Sequence, residues 1–396
     1  MIADATRVPP VLVLGGGLSA LGTLRTLGRA GIRAWTVPDE DDFVRRSRWY
    51  RPAPCRQTGE ALPAYLARLP YDRAVLVACS DSGTADVARL PPDVRERFPA
   101  AVPDPAVLGL LVDKLGFARL LDDLGVPHPH TVAIEAIADL DAVPERVLDG
   151  SSFLKPRDSQ RFFGRFGVKA FRVSSRAGAR ERLEQIEAAG LSVVLQEYVP
   201  GPSSDHYFID GFRDASGVVR RRFARRRLRM YPPDFGNSTR TASVALADVA
   251  GAVRSLDAVL ERLRYRGIFS AEFKRDMRDG EFKILEVNAR PWWYVEFAAR
   301  SGADVVTAYY RDALGMPVAD SAGYRVGVSC IYVYYDYFAC EPLRRAGAMS
   351  LTAMLAEWLR SYHPIFAWDD PGPSIWEAGQ LLRRLRTRAH VGEVAR

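Results

Sequence analysis

Val11-Leu12-Val13-Leu14 runs directly into Gly15-Gly16-Gly17-Leu18-Ser19-Ala20-Leu21-Gly22, and a helical pattern follows to about Ala30. Arg33 to Val37 then reads as a second short strand. A strand, a glycine-rich turn, a helix and a strand make a β–α–β opening. Glycine there lets the backbone turn sharply and lets a helix N-terminus approach an anion. A third strand, Ala74 to Ala78, ends at Cys79-Ser80-Asp81-Ser82. Polar residues at the carboxyl end of a parallel strand sit where open α/β sheets bind ligands. Ser80 and Asp81 are therefore candidate substrate contacts.

The opening predicts a small Rossmann-like domain. Pro103 and Pro105 mark a junction after it, and helices and strands alternate beyond. Leu108 to Leu124 reads as one helix with Asp113-Lys114 inside it, ended by Gly125-Val126-Pro127. Phe153-Leu154-Lys155-Pro156 closes a strand, and Val193 to Val199 forms another before the turn at Pro200-Gly201-Pro202. Ile268 to Lys274 and Phe282 to Asn288 read as two strands around Asp279-Gly280. From about Val318 onward the pattern is helical, with an aromatic run at Tyr332 to Phe338. With 396 residues the chain has length for two to three domains.

Composition narrows the functional classes. No leader-like start and no long apolar run appears, which predicts a cytoplasmic protein that spans no membrane. Four cysteines, Cys55, Cys79, Cys330 and Cys340, show no zinc or CxxC spacing and read as scattered thiols. The formal net charge is +7, with arginines clustered at Arg220 to Arg229 and Arg383 to Arg388. No nucleic-acid-binding signature accompanies them. The second cluster reads as a solvated face; the first holds candidates for binding an anionic group.

The strongest chemical pattern is Glu272 with Glu286 and Asn288. On a strand, Glu286-Val287-Asn288-Ala289-Arg290 places Glu286, Asn288 and Arg290 on one face. Two carboxylates and an amide oxygen suit Mg²⁺ bridging ATP phosphates. For both glutamates to share a face, the hairpin needs an odd loop. A three-residue loop, Arg278-Asp279-Gly280 with a left-handed glycine, pairs Glu272 with Glu286. Lys114 and Lys155 are compact point charges suited to phosphate oxygens. Between Lys155 and Lys169, the glycines of Arg157 to Gly167 predict a mobile flap that excludes water. Leu195-Gln196-Glu197-Tyr198-Val199 offers apolar walls and backbone groups for an adenine ring, with Glu197 placed to accept from its amino group.

Taken in order, Asp113-Lys114, Lys155-Pro156, Gln196-Glu197-Tyr198-Val199, Glu272 and Glu286-Val287-Asn288-Ala289-Arg290 resemble the ATP-grasp superfamily. Within it the likeness is to the carboxylate–amine ligase group that includes D-aspartate ligase. Arg227-Leu228-Arg229-Met230-Tyr231-Pro232-Pro233, Gly236 to Thr239 and Trp368-Asp369-Asp370-Pro371 also resemble that group, so the likeness covers about residues 10 to 375. It implies a multi-domain α/β and α+β chain. A Rossmann-like preATP-grasp domain would span 1–104. ATP-grasp subdomain A would span 105–190, and subdomain B with the metal site 191–318. A C-terminal helical extension would span 319–396.

The resemblance also implies roles. Lys114 and Lys155 would contact ATP phosphates, Glu197, Tyr198 and Val199 would hold adenine, and Asp205 would bind ribose. Glu272, Glu286 and Asn288 would bind one or two Mg²⁺ ions, with Mn²⁺ as an alternative. Arg290 would steady the acyl phosphate or tetrahedral intermediate, and Arg227 and Arg229 would bind the carboxylate substrate. Lys155 and Arg290 are thus the candidate catalytic residues. The flap departs from the family's small, glycine-rich form through Phe162, Phe163 and Phe166. Ala289 stands where proline is common, and Pro291-Trp292-Trp293-Tyr294 either walls an acceptor pocket or fills core. The implied reaction activates a small carboxylate as an acyl phosphate and joins it to a small amine, releasing ADP and phosphate. Homodimers are common in such proteins, although no motif here fixes one.

Other classes make distinct demands. A nicotinamide oxidoreductase would use Gly15 to Gly17 with Asp39 after the second strand, but Gly-x-Gly-x-x-x-x-Gly departs from the dinucleotide fingerprint. A non-catalytic nucleotide-binding scaffold would be expected to lose its metal ligands, yet Glu272, Glu286 and Asn288 are all present. Nucleic-acid binding would bring steep salt dependence.

Overall fold

A computed structural model describes residues 8–37, 43–149, 152–157, 159–233, 236–380 and 383. Asp39 and Arg384 to Arg388 therefore lie outside the described residues. In chain order the first elements are β1 (Val11–Leu14), α1 (Gly17–Arg29), β2 (Ala34–Val37), α2 (Leu62–Ala67), β3 (Val75–Ala78), α3 (Asp81–Ala88) and α4 (Pro92–Arg97). The three strands form a parallel sheet in the order β2-β1-β3. The glycine turn behaves as its residues dictate: Gly15 and Gly17 take φ of 107° and 70°, in the left-handed region.

Next come α5 (Pro105–Val112), α6 (Lys114–Asp123), β4 (Thr131–Ile134), α7 (Glu145–Asp149), β5 (Ser152–Pro156), α8 (Ser159–Phe166), β6 (Phe171–Val173), α9 (Arg176–Ala188) and β7 (Val193–Glu197). Four of these strands make an antiparallel sheet in the order β4-β7-β5-β6. β5 alternates: Ser152 and Leu154 are buried, whereas Phe153 and Lys155 are half-buried on the other face. Leu154 joins Leu195 and Val193 in a core with Leu183 and Ile186 of α9. That leaves Lys155 facing away from this core.

The last set is β8 (His206–Arg213), β9 (Val219–Tyr231), β10 (Asn237–Ser243), α10 (Ala250–Arg262), β11 (Gly267–Arg275), β12 (Phe282–Asn288), α11 (Val295–Ser301), α12 (Val305–Ala313), β13 (Ser329–Ile331), α13 (Val333–Arg345) and α14 (Leu351–Arg360). Its six strands are ordered β12-β11-β8-β9-β10-β13. α10 packs Leu256, Val259 and Leu260 beneath this sheet. α11 and α12 return to the first sheet, placing Val295, Phe297, Val305 and Tyr309 in one core with Val11, Val13, Leu21 and Leu24. Tyr309 seals this contact by donating to the Leu76 carbonyl at 2.7 Å. Trp292 and Tyr294 are buried in the same core, so this aromatic run fills core.

Four local expectations need correction. Asp113 breaks the single helix expected over Leu108 to Leu124. Its backbone is extended and its side chain accepts from Leu115 N, so it ends α5 and caps α6. The expected glycine flap is a helix, α8, in which Phe162 is buried and its ring packs on Phe166 and Phe171. Three aromatic rings outweigh two glycines there. The segment after Val318 is not wholly helical, because β13 first pairs with β10. Finally, Glu272 does pair with Glu286, but not through a three-residue loop. Asp276 N donates to Glu281 O, closing a four-residue loop, and Gly280 has φ of 76°. A register shift between Glu272 and Phe273 skips Leu285 and restores the parity that an even loop removes.

Candidate active site

A cavity of about 930 Å³ opens between α3, α5, α6, β5, β7 and β12. Lys114, Lys155, Gln196, Glu286, Asn288 and Asp81 line it. The break at Asp113 makes Lys114 the first residue of α6, and its Nζ donates to the Pro156 carbonyl at 2.9 Å. This contact seats Lys114 beside the end of β5, where Lys155 projects. Burial lowers the pKa of both lysines below 10.5, while the charge of Glu286 pushes each back up. Two cations and one carboxylate from three separate elements therefore share one electrostatic site.

Glu286 sits on β12, where Asn288 Nδ2 donates to its Oε1 at 2.9 Å. Across the hairpin, Glu272 is held by His206 Nδ1 at 2.7 Å and by Arg227 Nη2 at 3.1 Å, both on Oε1. Burial pushes the Glu272 carboxyl up, but the positive charge of Arg227 and the His206 hydrogen bond hold it down at about 2. It is thus ionised through the neutral range. Because the folded pKa lies below the ordinary 4.5, Glu272 contributes stability above about pH 4.5 and loses it as pH falls toward 2. Urea melts at stepped pH should show a shallower acid limb for Glu272→Gln than for wild type, even though the variant starts lower by leaving Arg227 without its carboxylate.

The donor set fits a hard cation. Glu272 and Glu286, paired across the hairpin, and the Asn288 amide would hold such a cation through oxygen atoms, and the cation would supply charge neutralisation to bound phosphates. Among the described residues no three acidic, histidine or cysteine side chains converge, so an all-protein metal cage is not built here. Magnesium carried with a nucleotide suits this set better than a resident structural ion.

Other expected residues are placed differently. Glu197 is engaged at both oxygens: Oε1 pairs with Arg278 at 2.6 Å, and Oε2 accepts from His130 N at 3.2 Å. An adenine amino group would therefore meet a carboxylate already committed. Tyr198 stands edge-on to Phe153, with Arg172 over its ring, and Val199 is buried. Asp205 faces Arg226 at 3.2 Å. Ser80 caps α3 by accepting from Gly83 N. Arg229 points elsewhere: Asp336 takes its Nε and Nη2, and Glu357 takes its Nη1. A carboxylate substrate would have to displace two carboxylates, so its expected substrate contact is replaced here by an anchor for α13 and α14. Arg227 remains beside the site through Glu272.

The arginine cluster on β9 is neutralised by its own chain. Arg220, Arg222, Arg225 and Arg226 pair with Asp214, Asp257, Asp210 and Asp205. His206 and Arg278 were missed in the sequence. His206 opens the strand that pairs with β11, and its alternation with Phe208 was visible; the identity of the partner strand was not. Cys79, Cys330 and Cys340 are buried and Cys55 is exposed. No helix among the described residues is long and apolar enough to cross a membrane.

No family model matches the chain. D-aspartate ligase of Enterococcus faecium (strain Aus0004) is 25% identical over 228 residues, covering 54% of this chain and 53% of that ligase. The chain thus spans about half the length of the curated relative it matches. N5-carboxyaminoimidazole synthetase from Staphylococcus aureus superposes with a TM-score of 0.61 at 14% identity, over 81% of this chain and 80% of that one. L-amino acid ligase from Bacillus licheniformis gives 0.59 at 14% identity, over 82% and 79%. The biotin carboxylase domain dimer of Hydrogenobacter thermophilus 2-oxoglutarate carboxylase, in complex with MgADP, ADP and bicarbonate, gives 0.63 at 14% identity, over 80% and 73%. The chain has the ATP-grasp fold. Its sequence is similar to the carboxylate–amine ligase group within that fold.

Proposed function

We propose that the chain is an ATP-dependent ligase that joins a small carboxylate to an amine through an acyl phosphate, releasing ADP and phosphate. The observation that carries this reading is the convergence of Lys114, Lys155 and Glu286 on one cavity, with Glu272 paired beside them. The two lysines hold phosphate oxygens and take up charge as the terminal phosphoryl group moves. Glu272, Glu286 and Asn288 would hold one or two magnesium ions, which supply charge neutralisation on the phosphates. The substrate carboxylate attacks phosphorus, and the amine then attacks the acyl carbon, with Arg290 beside the oxyanion. Residues 197–199 would border the adenine. The names of the ligase relatives support amino acids as substrates, and a cytoplasmic setting belongs to the same proposal. Nothing in the site favours the oxidoreductase or scaffold alternatives.

Magnesium-dependent ATP turnover against pooled amino acids and small acids tests the reading. ADP with phosphate, dependent on an acid, is the expected result. AMP with pyrophosphate would reject the acyl-phosphate route. Absence of both turnover and magnesium-dependent ATP binding would reject the ligase.

A further inference from the structure

Arg290 ends the polar face that begins at Glu286, and its guanidinium is engaged by a carboxylate at the start of α3. Nε donates to Asp81 Oδ1 at 2.9 Å, and Nη2 donates to Asp81 Oδ2 at 3.1 Å. This fork-on-fork geometry is how arginine holds a carboxylate ligand. Asp81 opens α3, just past the carboxyl end of β3, yet Ser80 does the capping. Among the described residues, three carboxylates line the cavity, those of Asp81, Asp113 and Glu286. Asp113 caps α6, and Glu286 belongs with Asn288 and the lysines. Asp81 remains, with its side chain 51% exposed against 23% for Arg290. An ion pair so open to water is weak and can be exchanged.

We propose that Asp81 recognises the amine substrate as an ammonium cation, a role that rests on the ligase reading above. While Arg290 holds Asp81, the two charges cancel and a cationic amine has little to bind. An acyl phosphate brings more negative charge than one carboxylate and draws the guanidinium to itself. The Asp81 carboxylate is then released beside the acyl carbon, where the next reactant must arrive. The ammonium nitrogen gives one proton to Asp81, which passes it to solvent. Its freed lone pair forms the bond to the acyl carbon. The carbon–oxygen bond to phosphate breaks, phosphate leaves with that electron pair, and it takes the second proton from nitrogen. Binding is therefore ordered, with acid and ATP before amine.

Two nucleophiles of different charge separate this role from a purely structural one. Hydroxylamine is uncharged at neutral pH and intercepts acyl phosphates as hydroxamates; the pooled amino acids present ammonium groups. With magnesium-ATP and the pool, amide products are measured by mass spectrometry and hydroxamates by their ferric colour. Asp81→Asn should lower the amide-to-hydroxamate ratio by about tenfold or more, read as a loss specific to the charged amine. Asp81→Glu should restore part of it. A ratio equal to wild type overturns the proposal, whether both products fall together because Asp81 merely steadies Arg290 or neither changes. A wild-type protein that makes hydroxamate while the ratio stays fixed leaves the ligase reading standing. A wild-type protein with no acid-dependent ADP release overturns both.

Discussion

Glu286→Gln is expected to cut acid-dependent ADP release by about 10²–10³-fold, the usual loss when one preorganised electrostatic group is removed. The shape is retained: the Asn288 amide that donates to Glu286 Oε1 can donate to a glutamine carbonyl. What disappears is the negative charge that both Lys114 and Lys155 feel. Burial already disfavours the charged form of both lysines. Without Glu286 their protonated state is less favoured, and the proposed magnesium site would lose one carboxylate. Ground-state ATP binding should weaken less than turnover, because the lysines keep their positions through β5 and the Pro156 contact. Glu281→Gln, an exposed change at the residue that closes the loop of the same hairpin, is the matched control and should stay within about twofold. Equal losses in the two variants would mean that the hairpin acts only as scaffold.

The readable parts of the sequence share a physical character. β1, the glycine turn and α1 are specified within about 20 residues by local periodicity and by positions that need positive φ. β5, β11 and β12 announce themselves by apolar alternation and β7 by a continuous apolar run, and the polar face of Glu286, Asn288 and Arg290 follows from the alternation of β12. Even the pairing of Glu272 with Glu286 follows from requiring both carboxylates on one side. The device that achieves it does not: a bulge at Leu285 leaves no residue-level signature, because leucine is at home in a regular strand.

What stayed hidden is long-range. Asp81 and Arg290 are 209 positions apart, and nothing near either residue names the other. Arg225, Arg227 and Arg229 look alike in a run of arginines, yet they pair with Asp210, Glu272 and Asp336 on three different elements. The strand order decides which of them lies near Glu272 and Glu286. The break at Asp113 was missed for a different reason. Helical periodicity continues through it, and only the cap contact with Leu115 N shows that Lys114 begins a new helix.

The largest effect on stability is expected from Arg25→Met, about 3–5 kcal/mol, the range for removing one partner of a buried ion pair. Arg25 on α1 is fully buried, and all five of its N–H groups are used. Nε donates to Asp370 Oδ2. Nη1 donates to Glu296 Oε2 and the Pro364 carbonyl, and Nη2 donates to the carbonyls of Ile365 and Asp370. Asp370 also accepts from Ser47 and from the backbone of Arg48, while Asp369 pairs with Arg29. Trp368-Asp369-Asp370-Pro371, which resembled a family motif in sequence, is therefore a staple that ties the C-terminal segment onto α1. Methionine fills much of the volume but takes one charged partner from each of the Asp370 and Glu296 carboxylates and the side-chain donor from three carbonyls in the core. Lysine restores the charge with only three donors, so Arg25→Lys should recover a minor part. Asp370→Asn keeps an acceptor and should fall between wild type and Arg25→Met. Urea melts at neutral pH order the four proteins; a loss below about 1 kcal/mol for Arg25→Met would mean that the staple, although complete in its hydrogen bonds, does not hold the segment.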